Sequence, residues 1–126
     1  MYVCDIRPYA TTHLGHAFTY AAAAVLIRYL EDQGYPAHYV QNLTDVDDAI
    51  LCAAHRVGED WHELGTRWTA HFSHDMQRLN IRPPDLFPRA ADVIVDIMVT
   101  AHELTEAEIA YGAGGSVYFN VDGWPD

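Results

Sequence analysis

The chain has 126 residues, half of them apolar, with a formal net charge of −11 and a sequence pI near 4.9. This length indicates one domain that buries a sizeable core, and its two cysteines are too few for a disulfide framework. All seven basic residues are arginine, which excludes a P-loop lysine and a Schiff base, and the acidic balance disfavours strong binding of nucleic acid by this chain alone.

The sequence predicts neither a membrane span nor a secretory leader. Its longest apolar run, residues 21–27, is too short to cross a bilayer. The opening MYVCDIRPY has no basic stretch followed by an apolar run. With so few cysteines, a reducing cytoplasm is the expected location.

The first predicted elements form a βαβ unit. Residues 1–4 are predicted as a short strand and residues 37–43, with the β-formers Tyr39 and Val40, as a second one. Between them, residues 14 to about 32 are almost all apolar or alanine, which predicts a helix buried on every side. Strand, helix and strand in this order indicate two parallel strands joined by a right-handed crossover.

Further elements are predicted along the rest of the chain. Thr44-Asp45 is predicted to cap a helix that runs to residue 57. Asp60 is predicted to cap the next helix, whose core residues recur every three or four positions: Trp61, Leu64, Trp68, Phe72, Met76 and Leu79.

After these helices, residues 81–88 (IRPPDLFP) predict a rigid connector. Residues 89 to about 110 predict an amphipathic helix, and residues 112–115 a turn before a last strand, SVYFNV. The inward face of that helix is predicted to carry Val93, Ile94, Ile97, Met98, Ala101 and Leu104.

His13 and His16 stand where the first helix is predicted to begin, directly after a strand. The pair lacks the acidic residue of a zinc-binding H-E-x-x-H helix, so a metal would need ligands from elsewhere. Exposed N–H groups and the helix dipole instead favour a phosphate chain, which Gly15 would let approach the backbone closely. Imidazole donors can stabilise charge that develops on an α-phosphate. Two surface histidines near a loop are the third interpretation, and the residues alone leave all three open.

Polar and sulfur-bearing residues lie at the ends of both predicted parallel strands. Cys4 ends the first, and Asn42, Thr44 and Asp45 end the second. Ligands of βαβ folds bind at the carboxyl ends of parallel strands, so these side chains are predicted to face a ligand crevice. A small buried thiol and simple helix capping are the alternatives for these positions.

Taken together, several segments resemble the class I cysteine-activating ligases, over essentially the whole chain. HLGH resembles the "HIGH" signature of class I synthetases, and QNLTDVDD resembles the next family block. Further resemblance lies in MYVC, RYLEDQGYPAHYV, DMQRLNIRPPDLFPRA and GGSVYFNV. The family comprises cysteinyl-tRNA synthetase and the mycothiol-pathway ligase, which joins cysteine to a glucosaminyl-inositol. Thr12, the HLGH segment and HYVQN are slightly nearer to the mycothiol type.

The resemblance implies an α/β fold and an AMP-forming reaction. Residues 1–57 would be the first βαβ half of a Rossmann-like class I synthetase nucleotide-binding domain, and residues 58–126 the helical start of its connective insertion. ATP and L-cysteine would give cysteinyl-adenylate and pyrophosphate, and the acceptor would be tRNA or an amino sugar.

The resemblance also implies a set of site residues. His13 and His16 would be catalytic and would hold the ATP phosphates. The nucleotide would also contact Tyr9, Thr12 and Gly15. Substrate cysteine would contact Cys4, Asn42, Thr44 and Asp45. Cys4 would be one ligand of a zinc ion that binds the substrate thiolate, although a complete zinc site needs about four ligands.

The sequence departs from the family at several positions. Asp5, Arg7 and Ala10 stand where glycine, threonine and aspartate are usual, and the lysine-bearing KMSKS loop is absent. The resemblance therefore implies an N-terminal part or truncated homologue of a ligase. The alternative is an inactive paralogue that binds nucleotide or protein. The exposed edge of a two-stranded sheet is predicted to pair with a second copy or a partner subunit.

Overall fold

The computed structural model describes residues 1–4 and 6–124. The chain divides into two compact units, Met1–Asp92 and Val93–Asp126. The predicted domain boundary after residue 57 stays a prediction. Within the described residues, no helix combines the length and the apolar character needed to cross a membrane.

The first unit is built around a parallel sheet. Strand β1 (Tyr2–Val3) pairs with strand β2 (Val40–Gln41), and helix α1 (Leu14–Asp32) connects them. Tyr2 lies opposite Val40 and Val3 lies opposite Gln41. The predicted α/β class, with its opening βαβ unit, is therefore confirmed.

Residues 86–89, here called the edge segment, extend this sheet on the far side of β2. They form parallel bridges from Leu86 to Val40 and from Arg89 to Leu43. The amide of Gln41 donates to the Leu86 carbonyl at 3.1 Å. The proline-rich stretch was predicted only as a connector, and that prediction missed its role in the sheet. Proline is tolerated there because an edge strand needs only part of its backbone for pairing.

Helix α1 buries only one side. Its buried residues are Tyr20, Ala24 and Ile27, whereas the side chains of Leu14 and Phe18 are 84% and 76% exposed. The prediction that this helix is buried all round is wrong. The apolar composition of α1 is symmetric, but the sheet and a single neighbouring helix cover only one stripe of it.

Helix α2 (Asp48–Val57) begins later than predicted. Its N-cap is Asp47, whose Oδ1 accepts a hydrogen bond from the amide of Ala49 at 2.6 Å. The prediction that Thr44-Asp45 caps this helix is wrong, because the chain takes two more residues to turn away from the sheet.

Helix α3 (Trp61–Arg78) begins where predicted. The carboxylate of Asp60 accepts hydrogen bonds from the amides of His62 and Glu63 at 2.9 and 3.2 Å. These bonds satisfy two of the amides that a helix N-terminus leaves without partners. The predicted cap at Asp60 is confirmed.

Two apolar clusters hold the first unit together. The larger one joins α1, α3 and the ends of the strands, and it contains Ile6, Tyr20, Ala24, Phe72, Met76 and Ile81. The smaller one joins α2 to α3 through Ile50, Ala54 and Leu64, with Trp61 and Trp68 packed against it. The predicted core stripe of α3 is thus confirmed except at its last residue, Leu79, which is 55% exposed.

The second unit is a helix followed by a hairpin. Helix α4 (Ile94–Glu106) is shorter than predicted and is preceded by a 3-10 turn. Strands β3 (Ala110–Ala113) and β4 (Ser116–Phe119) pair antiparallel. The turn consists of Gly114 and Gly115, with φ of 59° and 85°, a conformation that glycine adopts without strain. The prediction of a longer turn from residue 112 is therefore wrong.

The apolar face of α4 also differs from its prediction. Val93, Ile94, Ile97 and Met98 were expected to point inward, but they are between 39% and 66% exposed. Ala101 and Leu104 are half-buried. Amphipathic spacing shows which side of a helix is apolar, whereas burial of that side depends on whether another element packs on it.

Asp45 links three parts of the first unit. Its side chain is 1% exposed, its Oδ2 accepts from Arg89 Nε at 2.7 Å and its Oδ1 accepts from the Ala91 amide at 2.9 Å. Arg89 also donates to the Thr66 hydroxyl on α3 at 3.4 Å. One buried carboxylate therefore connects the end of β2 to the end of the edge segment and, through Arg89, to α3.

We expect Asp45→Ala to lower the free energy of unfolding by about 3 kcal/mol, because it removes one partner of a largely buried ion pair. Urea denaturation at pH 7 measures this change. Glu63→Gln, at an exposed position on α3, is the control and is expected to stay within about 0.5 kcal/mol of the parent. An Asp45→Ala variant as stable as the control would contradict the structural role of Asp45.

Candidate functional site

The carboxyl ends of β1 and β2 lie at the same edge of the sheet, here called the carboxyl edge. Cys4 and Asn42 follow the paired residues Val3 and Gln41 at this edge. The Tyr2 hydroxyl donates to Asn42 Oδ1 at 2.6 Å, and Asn42 Nδ2 lies 3.2 Å from the Thr44 hydroxyl oxygen. The structure therefore places Cys4, Asn42 and Thr44 at the same edge of the sheet.

The HLGH segment forms the start of α1. His13 is the N-cap: its Nδ1 accepts from the Gly15 amide at 3.1 Å. His16 Nδ1 accepts from the His13 amide at 3.4 Å, so the two side chains form a reciprocal capping box. A nitrogen that accepts a hydrogen bond carries no proton, so each neutral ring has its proton on Nε2. Both histidines are thus arranged as Nε2–H donors.

The two imidazoles lie against each other. Their centroids are 3.9 Å apart and their planes are inclined by 21°. Burial, and secondarily the nearby His13, lowers the pKa of His16 below its ordinary value of 6.5. Stacking two rings so closely disfavours charging them both. At neutral pH His16 is therefore a neutral hydrogen-bond donor.

Gly15 is required by the ring of His13. A Cβ at position 15 would lie 2.9 Å from Cε1 and 3.0 Å from Nδ1 of that imidazole. These distances are shorter than van der Waals contact, so a larger residue would displace the ring. The close approach at Gly15 predicted for a nucleotide is thus made, within this chain, by a histidine side chain.

Thr12 and Tyr9 lie on the loop before α1. The Thr12 hydroxyl donates to Asp75 Oδ2 on α3 at 3.2 Å. Tyr9 is 41% exposed and borders a cavity of about 420 Å³ whose other walls include Cys52 and Arg56 of α2. Tyr9 therefore faces α2, whereas Thr12 is attached to α3.

Asp45 and Arg7 are both engaged in contacts within the chain. Both carboxylate oxygens of Asp45 have protein partners, and only 1% of its surface is exposed. Arg7 places its Nε 3.1 Å from Asp47 Oδ2 at the N-terminus of α2. Asp5 lies outside the described residues. Ligand binding by Asp45 stays a prediction. Its observed hydrogen bonds, to Arg89 and Ala91, stabilise the fold.

Cys4 lies at the carboxyl edge and is exposed, and it forms no disulfide with Cys52. Its carbonyl accepts a hydrogen bond from the Tyr20 hydroxyl at 3.3 Å. Among the described residues, no three His, Cys, Asp or Glu side chains are grouped so as to hold a metal ion. Because a protein zinc site takes three or four such ligands, these residues do not by themselves fit zinc.

Two residues that contact this region, Asp75 and Arg89, were not predicted from the sequence. The available signal for Asp75 was its place beside Phe72 and Met76, since a polar residue next to a core stripe lies close to the packed neighbour. Nothing in the sequence paired Arg89 with Asp45, because the two are 44 positions apart.

The model of the tRNA synthetases class I (C) catalytic domain matches residues 1–126. The chain belongs to this family. The predicted family resemblance is confirmed.

Three curated relatives show how much of the family's length the chain represents. It is 41% identical to the chloroplastic/mitochondrial cysteine–tRNA ligase CPS1 of Zea mays and 43% identical to the cysteine–tRNA ligase of Thermococcus onnurineus. It is 44% identical to the L-cysteine:1D-myo-inositol 2-amino-2-deoxy-alpha-D-glucopyranoside ligase of Thermomonospora curvata. Each match covers 100% of this chain but only 22%, 26% and 30% of the respective relative.

A solved structure confirms the fold. A crystal structure of methionyl-tRNA synthetase from Mycobacterium tuberculosis, bound by methionyl-adenylate, matches with a TM-score of 0.73 at 20% identity. The match covers 98% of this chain and 30% of that one. The described chain therefore has the fold of about a third of that synthetase.

We expect Gly15→Ala to stabilise the chain less than a glycine-to-alanine change in a helix usually does. Alanine in a helix is usually more stabilising than glycine by about 1 kcal/mol, but here the added methyl group would push the His13 ring out of its capping position. Thermal unfolding measures the balance. Gly65→Ala on α3 is the matched control, because its Cβ would meet neighbours at an ordinary 3.9 Å. A Gly15→Ala variant as stabilised as Gly65→Ala would contradict the packing described for His13.

The lowered pKa of His16 predicts how its contribution to the stability of the folded chain depends on pH. Its stabilising contribution is complete above pH 6.5, where the ring is neutral in both the folded and the unfolded states, and it is lost as pH falls through the lowered folded pKa. In an NMR titration of the His16 ring, His13→Asn is expected to raise the pKa partway towards 6.5. Asparagine keeps a capping oxygen but removes the charge, while burial of His16 continues to depress its pKa.

The control for this titration is His102→Asn, at an exposed position on α4, which is expected to leave the His16 pKa unchanged. A His16 ring that titrates at or above 6.5 in the parent chain would show that stacking and burial do not act on it as described.

Proposed function

We propose that this chain supplies the phosphate-binding half of an ATP-dependent cysteine-activating site. The observation that carries the proposal is the pair of stacked, capping imidazoles at the N-terminus of α1, where both Nε2–H donors and the positive end of the helix dipole favour an anion. The family membership and the cysteine ligases among the relatives support ATP and cysteine as the substrates.

In the proposed reaction, a carboxylate oxygen of cysteine attacks the α-phosphorus of ATP. A new P–O bond forms cysteinyl-adenylate, and the bond to the departing pyrophosphate breaks. His13 and His16 act through hydrogen bonds to phosphate oxygens, which strengthen as negative charge develops there. Because His16 is neutral, its Nε2–H can donate a hydrogen bond to a phosphate oxygen while its Nδ1 accepts from the His13 amide.

The carboxyl edge is the proposed place for substrate cysteine. Asn42 and Thr44 present an amide and a hydroxyl there, and Cys4 lies at the end of the neighbouring strand. A zinc ion is implied only by the resemblance. Cys4 would be one of its ligands, and the others would have to come from polypeptide outside the described residues. No step of the proposed reaction is assigned to it.

The proposal extends to acceptor, partners and location. The relatives' names support tRNA or an inositol-linked amino sugar as the acceptor. Since these 126 residues contain no lysine, the side chains among them that could neutralise the departing pyrophosphate are arginines. The outer edge of β1 is the proposed surface for pairing with a second copy or a partner subunit. A cytoplasmic location would keep both cysteines reduced.

A second candidate is a nucleotide-binding or protein-interaction module without catalysis. It is favoured by the absence of lysine and by Arg7, which occupies a position where the family carries a small side chain and which is directed to Asp47. Such a module would keep the imidazole pair and bind nucleotide, but it would not exchange pyrophosphate.

Two measurements on the purified chain separate these candidates. Equilibrium dialysis with labelled ATP is expected to detect binding, which His16→Ala weakens about tenfold by removing one hydrogen bond to a charged group. Glu63→Gln is the control. Cysteine-dependent exchange of labelled pyrophosphate into ATP, with serine as the comparison, supports the ligase, whereas binding without exchange supports the module. No ATP binding by a folded chain would contradict both.

A further inference from the structure

Asp75 is tied to the HLGH segment from a different part of the fold. Its Oδ2 accepts a hydrogen bond from the Thr12 hydroxyl at 3.2 Å, and Thr12 directly precedes the capping residue His13. The two residues are 63 positions apart in the chain. The carboxylate therefore reaches the candidate phosphate site through tertiary structure.

The backbone that carries Asp75 is held firmly. Phe72 and Met76, on the adjacent turn of α3, are 4% and 7% exposed and pack in the larger apolar cluster. On the same helix, His71 Nδ1 lies 3.1 Å from Asp75 Oδ2, and His74 Nδ1 lies 3.9 Å from Oδ1. Asp75 therefore extends from a helical turn that the core holds in place, and its Oδ2 lies close to both His71 and Thr12.

Residues 10–12 form the part of the loop that leads directly into α1. Among the described residues, the hydrogen bond from Thr12 to Asp75 is the only side-chain hydrogen bond that joins residues 10–12 to another helix or strand. Directly after it, His13 takes up an extended backbone with φ −129° and ψ 172°, as its capping role requires. Thr12 is therefore held directly next to the residue whose ring caps α1.

We propose that Asp75 is a positioning residue for the phosphate site: through Thr12 it fixes the entry of the chain into α1 and so orients the His13 and His16 imidazoles. This inference rests on the proposed function of those imidazoles in binding ATP. Asp75 itself does not contact the nucleotide. Its effect is to reduce the number of loop conformations that must be given up when phosphate binds.

The test combines variants at both ends of the hydrogen bond. Asp75→Ala removes the acceptor, Thr12→Val removes the donor with little change of shape, and Asp75→Asn keeps an acceptor oxygen. Glu63→Ala, on the same helix and exposed, is the matched control. All variants are examined at one temperature well below the lowest melting temperature, so that essentially all of each sample is folded.

Two readouts are used. The first is the NMR resonance of the His13 Cε1–H group, which reports the ring's environment without any ligand. The second is the dissociation constant for ATP from equilibrium dialysis. Asp75→Ala and Thr12→Val are each expected to move the His13 resonance and to weaken ATP binding about tenfold. Asp75→Asn is expected to retain most of the binding, and the double variant Thr12→Val/Asp75→Ala should be no worse than either single variant.

Several outcomes would overturn the proposal. One is an Asp75→Ala variant that lowers the melting temperature while the His13 resonance and ATP affinity stay at parent values. Another is a double variant whose loss equals the sum of the two single losses, since the residues would then act independently. If the parent chain does not bind ATP, the proposed function fails, yet the His13 resonance still decides whether Asp75 orients the ring.

Discussion

The parallel pairing of β2 with a neighbour on each side is the constraint on which the first unit depends. Strands β1 and β2 have only two residues each, too few to be stable alone. They persist because α1 and α3 cover one face and because the edge segment pairs with β2 from the other side. Asp45 then fastens the end of that segment through Arg89 and Ala91.

This pairing also determines where chemistry is possible. Parallel strands bring Cys4 and Asn42 to one edge, and the crossover between the strands starts α1 close to that edge. Each histidine of the HLGH segment has two separate roles for its two ring nitrogens. Their Nδ1 atoms cap the helix and their Nε2 atoms stay available as donors, so the bond that forms the helix end also sets the direction of the donors.

The geometry of the site depends on contacts inside and outside the βαβ unit. Within the unit, the His13 ring lies where a Cβ at Gly15 would be; from outside it, α3 holds Thr12. Arg7 supports the N-terminus of α2 through Asp47. Helices α2 and α3 therefore do more than fill the crossover between β2 and the edge segment, because both hold residues of the loop between β1 and α1.

The sequence by itself determined the βαβ order, the beginning of α1 and α3, and the grouping of the HLGH histidines. These features depend on local patterns: apolar spacing, a capping aspartate at position 60, and residues three apart on one helix. Only the tertiary structure decided which side of α1 is covered, that residues 86–89 join the sheet, and that Asp45 pairs with Arg89 while Asp75 holds Thr12. Those outcomes depend on contacts between residues far apart in the chain, and local patterns carry no information about which distant partner a surface or a charge will meet.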